Sequence, residues 1–179
     1  GAAAWYVRKL REGERRYRAV GDPLNIPWEF IGIIHGLECS FRFDEHLHNG
    51  DPLSGRTVRV PAGHPRSGQA PFTWEDSAAD ALKLKRYHLQ RDWSDAAMLY
   101  RFETYNGWGY FYRNLNSPYL WSFSQHYSRG KFVRDGVYDP NAVSRQCGAA
   151  VMLKSLRTGT RSMDGASRPL VTLAGGHNE

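Results

Sequence analysis

The chain has 179 residues, of which 41% are hydrophobic and 13% aromatic, and its formal net charge is +6. That much apolar surface excludes a disordered chain, and without an apolar run of about 18 residues the sequence predicts no integral membrane segment. Two cysteines, Cys39 and Cys147, exclude a disulfide framework and a four-cysteine zinc site. The positive charge favours an anionic partner (nucleic acid, an anionic membrane or an acidic wall polymer), unless it serves solubility alone.

The N-terminal part of the sequence predicts two helices. The first carries an apolar stripe that consists of Trp5, Tyr6, Leu10, Tyr17 and Val20. Residues 25–38 predict a second, largely buried helix, because Pro27 suits a first turn and apolar residues recur every three or four positions. Two glycines inside this helix, Gly32 and Gly36, indicate close packing against another backbone.

A small β-hairpin is predicted next, between Phe41 and about Val60. Residues 49–52 read Asn-Gly-Asp-Pro, which is typical of a turn, and polar and apolar residues alternate from Arg56 to Val60. Residues 61–71 are rich in Gly, Pro and Ser and predict an exposed loop.

The second half of the sequence predicts mainly helices. Capping residues predict them from Thr73 to about Tyr87, from Ser94 to Tyr105, at Ser117-Pro118, and from Asp139-Pro140 to about Arg157, with a minor hairpin over residues 131–138. The predicted fold class is therefore α+β and mainly helical. We expect one domain over residues 1–158 and a C-terminal tail or linker over residues 159–179.

Glu38 is the charged residue of the second predicted helix that is best suited to acid–base catalysis. It follows Ile31 by seven residues, or two helical turns, and so shares the predicted buried stripe of Ile31 and Ile34. A carboxylate there either pairs with Arg42 or His35 near the helix end, or opens onto a cleft. In a cleft, desolvation raises the pKa of the carboxyl group, as a general acid requires.

Polar residues crowd the stretch after this helix and favour hydrolysis of a glycosidic bond. That reaction needs one carboxylic acid to protonate the leaving oxygen and a second group to position water or stabilise positive charge. Asp51 is the best-placed second carboxylate for Glu38, Thr57 is placed to hold a water, and His48 and Asn49 are predicted to bind substrate. The alternative for Asp51 is turn chemistry, which Asn-Gly-Asp-Pro provides by itself.

The histidines of this stretch also raise the possibility of a metal site. His46 and His48 would lie on one face of a strand, with His35 and Asp44 as further candidate ligands. No helical His-Glu-x-x-His pattern is present, and the carboxylates are not at ligand spacing. The prediction is therefore that the protein has neither a metal nor a cofactor, and that these histidines are held by polar partners.

A third feature is the segment from Glu103 to Tyr110, which combines aromatic rings, an amide and two glycines. Rings such as Tyr105 can stack on the apolar C–H faces of a sugar, while Asn106 can bind its hydroxyl groups. The alternative is a helix C-cap at Gly107 with core aromatics.

Taken together, these residues resemble the lysozyme family found among phage and prophage endolysins. More broadly, the glutamate at a helix end and the later Tyr-Asn-x-Gly resemble goose-type lysozymes and lytic transglycosylases. The resemblance spans roughly residues 24–156, and it is carried by Ile34-His35-Gly36-Leu37-Glu38, His46-Leu47-His48-Asn49-Gly50-Asp51-Pro52-Leu53, Thr57-Val58-Arg59-Val60-Pro61-Ala62-Gly63, Pro71-Phe72-Thr73-Trp74-Glu75, Asn116-Ser117-Pro118-Tyr119-Leu120-Trp121-Ser122, the stretches 131–133 and 138–140, and Gln146-Cys147-Gly148-Ala149-Ala150.

This resemblance implies a lysozyme-like fold, with a helical lobe, a small β-hairpin lobe and a cleft between them. It implies cleavage of the β-1,4 bond between N-acetylmuramic acid and N-acetylglucosamine, with Glu38 as the catalytic acid and Tyr105 as its supporting tyrosine. Cys39 and Thr104 depart from the wider group's pattern, in which serine follows the glutamate and alanine precedes Tyr-Asn. The role of that serine is therefore not transferred to Ser40.

Three functions follow as alternatives. The first is a peptidoglycan hydrolase with Glu38 and Asp51, and the second is a lytic transglycosylase in which Glu38 acts as acid and then as base. The third is a non-catalytic wall-binding or virion structural module. We expect a monomer that binds peptidoglycan strands rather than nucleic acid and acts on the bacterial wall outside the cytoplasm. The sequence shows no signal peptide, so phage-type release or a longer parent protein is expected.

Overall fold

The computed structural model describes residues 1–164, so most of the predicted C-terminal tail lies outside the described residues. It is mainly helical with a two-stranded antiparallel sheet, which confirms the predicted α+β class. The helices are α1 Ala4–Leu24, α2 Trp28–Cys39, α3 Trp74–Leu84, α4 Asp95–Asn106, α5 Gly109–Tyr112, α6 Pro118–Trp121 and α7 Ala149–Asp164, with a 3-10 turn at Tyr87–Leu89 and strands β1 Lys131–Arg134 and β2 Val137–Asp139.

The chain divides into two compact units. The central unit is Lys9–Trp93, and the terminal unit combines Gly1–Arg8 with Ser94–Glu179. Helix α1 therefore contributes its first residues to the terminal unit and the rest to the central unit. Among the described helices, none has the length and apolar character that crossing a membrane requires.

The central unit is built around α2, in which every residue except Glu29 and Glu38 is buried. Helix α1 packs closely against it, because a Cβ on Gly32 would lie 2.8 Å from the Leu10 side chain and 2.9 Å from the Tyr17 ring. Both predicted helices are confirmed. The α2 glycines are closely packed, but against side chains, Leu10 and Tyr17 at Gly32 and Phe41 at Gly36, and not against another backbone as predicted. The buried faces of α1 and α2 form the core of this unit.

The β-hairpin predicted after α2 is wrong. Residues 41–60 hold one isolated antiparallel bridge, Glu45–Pro52, and are otherwise loop and turn. Val58 is 79% exposed, and its amide and that of Arg59 donate to the Asp51 carboxylate instead of to a partner strand. The alternating pattern is real, but a side chain satisfies the backbone groups that a second strand was expected to satisfy.

Helix α3 begins where its capping residue predicts. The Thr73 hydroxyl accepts a hydrogen bond from the Asp76 amide at 3.1 Å. The helix ends at Leu84, and the 3-10 turn that follows contains Tyr87, the predicted end of the helix. The residues it buries in the central unit are Trp74, Ser77, Ala78, Ala81 and Leu82.

In the terminal unit, α4, α6 and α7 pack against one another. Helix α4 is capped as predicted, by Ser94 at its start and by Gly107 with φ +92° at its end. The predicted hairpin over residues 131–138 is also confirmed as β1 and β2.

Helix α7 begins at Ala149, later than the predicted start near Pro140. The Gly148 amide donates to the Ser122 carbonyl at 3.0 Å, and a Cβ on Gly148 would lie 2.2 Å from the Leu120 carbonyl oxygen. This close backbone approach holds the preceding segment out of the helix.

Candidate functional site

Glu38 lies exposed in the last turn of α2, so its predicted place on a buried stripe is wrong. Helix α2 is apolar on all sides, and spacing alone does not identify which side of such a helix is covered. The helix ends directly after Glu38 and the buried Cys39, at Ser40 in the left-handed conformation with φ 49°. The Ser40 amide donates to the Gly36 carbonyl at 3.1 Å, which fixes the backbone beside Glu38.

The loop that follows α2 is fastened to α3 by His46. This buried ring lies 2.6 Å from the Ser77 hydroxyl through Nδ1 and 2.7 Å from the Gly55 carbonyl through Nε2. Because a carbonyl only accepts, Nε2 carries the proton and Ser77 donates to Nδ1. His46 is thus a hydrogen-bond bridge between the loop and α3.

Asp51 organises the same loop. Its Oδ2 accepts the amides of Val58 and Arg59 at 2.9 and 3.0 Å, and its Oδ1 accepts Nε of Arg59 at 2.6 Å. The Arg59 amide, followed by the other two donors, lowers the pKa of the Asp51 carboxyl to about 2. The carboxylate is 4% exposed, so these bonds give it a structural role, while its predicted catalytic role stays a prediction.

Asn49 and Thr57 belong to the same hydrogen-bonded loop. The Asn49 side chain donates to the Arg59 carbonyl at 3.0 Å and accepts from the Asp51 amide at 2.9 Å. The Thr57 hydroxyl donates to the Pro61 carbonyl at 2.5 Å and accepts from the His64 amide at 2.9 Å. The structure therefore brings these predicted site residues together and uses their polar groups to hold the loop.

His48 lies at the centre of a cluster that the sequence did not reveal. Its Nε2 is 2.5 Å from Oδ2 of Asp80 on α3, and Nδ1 of His64 lies 3.1 Å from the same oxygen. Burial, followed by the nearby His46 and His64, lowers the pKa of His48, while Asp80 acts in the opposite direction. We call His48, His64 and Asp80 the His–Asp cluster. No local pattern predicts it, because its members come from two separate loop positions and a helix.

His35 is not part of that cluster. Its Nε2 lies 2.8 Å from the Arg42 carbonyl and therefore donates, while its Nδ1 accepts from the Tyr17 hydroxyl at 2.7 Å. Burial lowers the pKa of His35 to about 4. For His35 and His46, the prediction that polar partners hold the histidines is confirmed.

Tyr105 and Asn106 lie in the last turn of α4, in the terminal unit, whereas Glu38 and the loop lie in the central unit. Tyr105 is half-buried and Asn106 exposed, and the Gly107 amide closes the helix on the Thr104 carbonyl. Burial raises the pKa of the nearby Glu103 carboxyl, whose Oε2 has no hydrogen-bond partner in the described part of the chain.

Neither a family model, a curated protein nor a solved structure matches the chain.

Proposed function

We propose that this protein is a peptidoglycan-degrading glycosidase that cleaves the β-1,4 bond between N-acetylmuramic acid and N-acetylglucosamine, with Glu38 as the general acid. The observation that carries the proposal is the placement of Glu38, an exposed carboxyl group at the end of a helix that is otherwise almost wholly buried. Such a helix holds a reactive group in a fixed position, which a proton donor to a bound sugar chain needs.

Two further features support this function. The net charge of +6 favours approach to an anionic wall polymer. The resemblance to phage-type lysozymes assigns the role of catalytic acid to Glu38. In this proposal the protein acts as a monomer on the wall outside the cytoplasm.

In the hydrolytic reaction, the Glu38 carboxyl donates its proton to the glycosidic oxygen as the bond to the muramyl anomeric carbon breaks. Water then adds to that carbon and releases its proton to the solvent. The sequence predicts that Asp51 handles this water. Its carboxylate is buried and accepts three hydrogen bonds, so in this proposal it holds the loop.

That observation favours a second candidate, a lytic transglycosylase, in which one carboxyl group serves both steps. Glu38 first protonates the leaving oxygen, and its carboxylate then takes the proton of the muramyl C6 hydroxyl. The hydroxyl oxygen bonds to the anomeric carbon and closes the 1,6-anhydro ring, so no second carboxylate is required.

The test is digestion of purified peptidoglycan by the wild-type chain, Glu38→Gln and Glu29→Gln, with products identified by mass spectrometry. Glu29 is the matched control, because it is the other glutamate of α2. We expect Glu38→Gln to lower the cleavage rate roughly 10²–10⁴-fold and Glu29→Gln to leave it unchanged.

The products decide between the candidates. Reducing muramyl ends indicate hydrolysis, and anhydromuramyl ends indicate the transglycosylase. A wild-type chain that binds the wall without cleaving it would overturn both and leave the wall-binding module. Equal rates for Glu38→Gln and wild type would remove the role of Glu38.

A further inference from the structure

The His–Asp cluster gathers three metal-ligating side chains in the central unit. Oδ2 of Asp80 lies 2.5 Å from Nε2 of His48 and 3.1 Å from Nδ1 of His64, and the donor atoms of all three lie within 4.8 Å of one another. Tetrahedral zinc places nitrogen and oxygen ligands about 3.3 Å from each other. Small side-chain rotations would therefore bring these atoms to ligand positions.

The surrounding hydrogen bonds hold the three residues in place. On α3, Ser77 binds His46 one turn before Asp80, so the pairs His46–Ser77 and His48–Asp80 run side by side along the helix. The rings of His46 and His48 meet edge to face, with centroids 5.6 Å apart.

His64 is held through its backbone. Its amide donates to the Thr57 hydroxyl at 2.9 Å, and its carbonyl accepts from the Thr57 amide at 2.8 Å. A preformed ligand arrangement of this kind lowers the ordering cost of binding an ion.

Hydrogen bonding alone leaves the cluster unsatisfied. A single carboxylate oxygen, Oδ2 of Asp80, faces both rings. The side chain of His48 has no exposed surface and faces that oxygen through Nε2, while Nδ1, on the other side of the ring, has no hydrogen-bond partner in the described part of the chain. By contrast, both ring nitrogens of His46 are bonded. Two imidazoles and a carboxylate that converge on one point form a ligand set that suits a divalent transition metal.

We propose that His48, His64 and Asp80 bind one zinc-class divalent metal ion. Three protein ligands leave a fourth position for water or another ligand. Asp80 also lines a groove of about 360 Å³ whose wall includes Phe72, Asp76 and Lys83, so solvent reaches the carboxylate side of the site. The site shares His48 with the residues predicted to bind the glycan, but it does not include Glu38, and zinc binding can be measured without cleavage.

The experiment is a titration of the chain, prepared without a histidine tag and stripped with a chelator, by Zn²⁺ alone in a calorimeter. We expect one zinc per chain for the wild type. Asp80→Asn and His64→Gln should each weaken binding by roughly 100-fold or more, because each removes one of three ligands. His126→Gln is the matched control, since His126 is exposed and lies in the terminal unit.

Circular dichroism checks that each variant folds, and a second measurement on the wild type keeps the proposal testable if one does not. Co²⁺ bound at a site with imidazole ligands should give visible absorption bands that one equivalent of Zn²⁺ removes. Three results would overturn the proposal: no stoichiometric zinc in the wild type, unchanged affinity in a folded Asp80→Asn, or an equal loss in His126→Gln. None of these measurements depends on wall cleavage.

Discussion

The central unit uses histidine in two different ways. His35 and His46 are buried, and each has both ring nitrogens in hydrogen bonds to fixed partners. His48 and His64 instead share the carboxylate of Asp80, and a nitrogen of His48 is left without a partner in the described part of the structure. In the first environment the ring connects elements of the fold, and in the second it is a potential ligand.

Backbone carbonyls cause much of this difference. A carbonyl next to Nε2 fixes the proton there, so Nδ1 must accept, and in both structural histidines a hydroxyl group is placed to donate. Tyr17 serves His35 in this way, and Ser77 serves His46. No carbonyl fixes His48 in this way among the described residues, and its ring faces a carboxylate. The partner, rather than burial alone, separates a structural histidine from a candidate ligand.

The largest expected effect contrasts His46→Leu with His48→Leu, both measured by urea unfolding in the presence of a chelator. His46→Leu leaves the buried Ser77 hydroxyl and the Gly55 carbonyl without their hydrogen-bond partner, so the free energy of unfolding should fall by about 4 kcal/mol. His48→Leu removes a nitrogen that is already unsatisfied and leaves only the partly exposed Asp80, so its cost should be about 1 kcal/mol. Equal losses in the two variants would contradict the contrast.

Because the buried His35 is neutral in the folded chain, the free energy of unfolding should fall in acid. Burial, followed by the charge of Arg16, lowers its pKa to about 4 against the opposing Arg42 carbonyl, while the unfolded value is 6.5. Between pH 6.5 and about 4, His35 is protonated in the unfolded chain but not in the folded chain. The contribution of His35 to the free energy of unfolding is therefore fully present above pH 6.5, and it falls by about 3 kcal/mol as the pH drops to about 4.

The measurement is the free energy of unfolding against pH for wild type and His35→Gln. The glutamine amide does not titrate and offers the same donor and acceptor, so the variant should lack this part of the slope. Parallel curves would mean that His35 is not the group responsible.

The third prediction concerns Asp51→Asn, which keeps the shape of the side chain and removes its charge. The three donors around the carboxylate lose their charged acceptor, and the free energy of unfolding at pH 7 should fall by about 2 kcal/mol. Because the pKa of Asp51 is lowered to about 2, wild type and variant should converge only as the pH falls below about 4. A full loss of wall cleavage with unchanged stability would instead support the predicted catalytic role of Asp51.

The features that the sequence predicts correctly are controlled by forces that are local along the chain. The caps Thr73 and Ser94 depend on residues within one turn, and most of the predicted α1 stripe is covered, although Trp5 in that stripe is 42% exposed. The predictions are wrong at residues 56–60, where a distant carboxylate satisfies the backbone, and at Gly148, where another segment passes too close for a helix to continue.

In the candidate site, too, local features are predicted from the sequence and long-range contacts are not. The sequence predicts Glu38, Asn49, Asp51 and Thr57 as site residues, but it does not predict their burial or their hydrogen-bond partners. Asp80 was missed altogether, because a side chain on α3 becomes a partner of the loop histidines only after the loop has folded against that helix.

The smallest expected effect is that of Arg59→Ala. The guanidinium is 65% exposed, and its 2.6 Å contact with Asp51 is screened by solvent, so the loss should be about 0.5 kcal/mol and should shrink further in salt. The two amides that bind the Asp51 carboxylate belong to the backbone and survive the substitution. The loop should therefore still present His64 to Asp80, and zinc affinity in the calorimeter should stay at the wild-type value. A loss as large as that of Asp51→Asn would show that the ion pair, rather than the backbone, holds this loop.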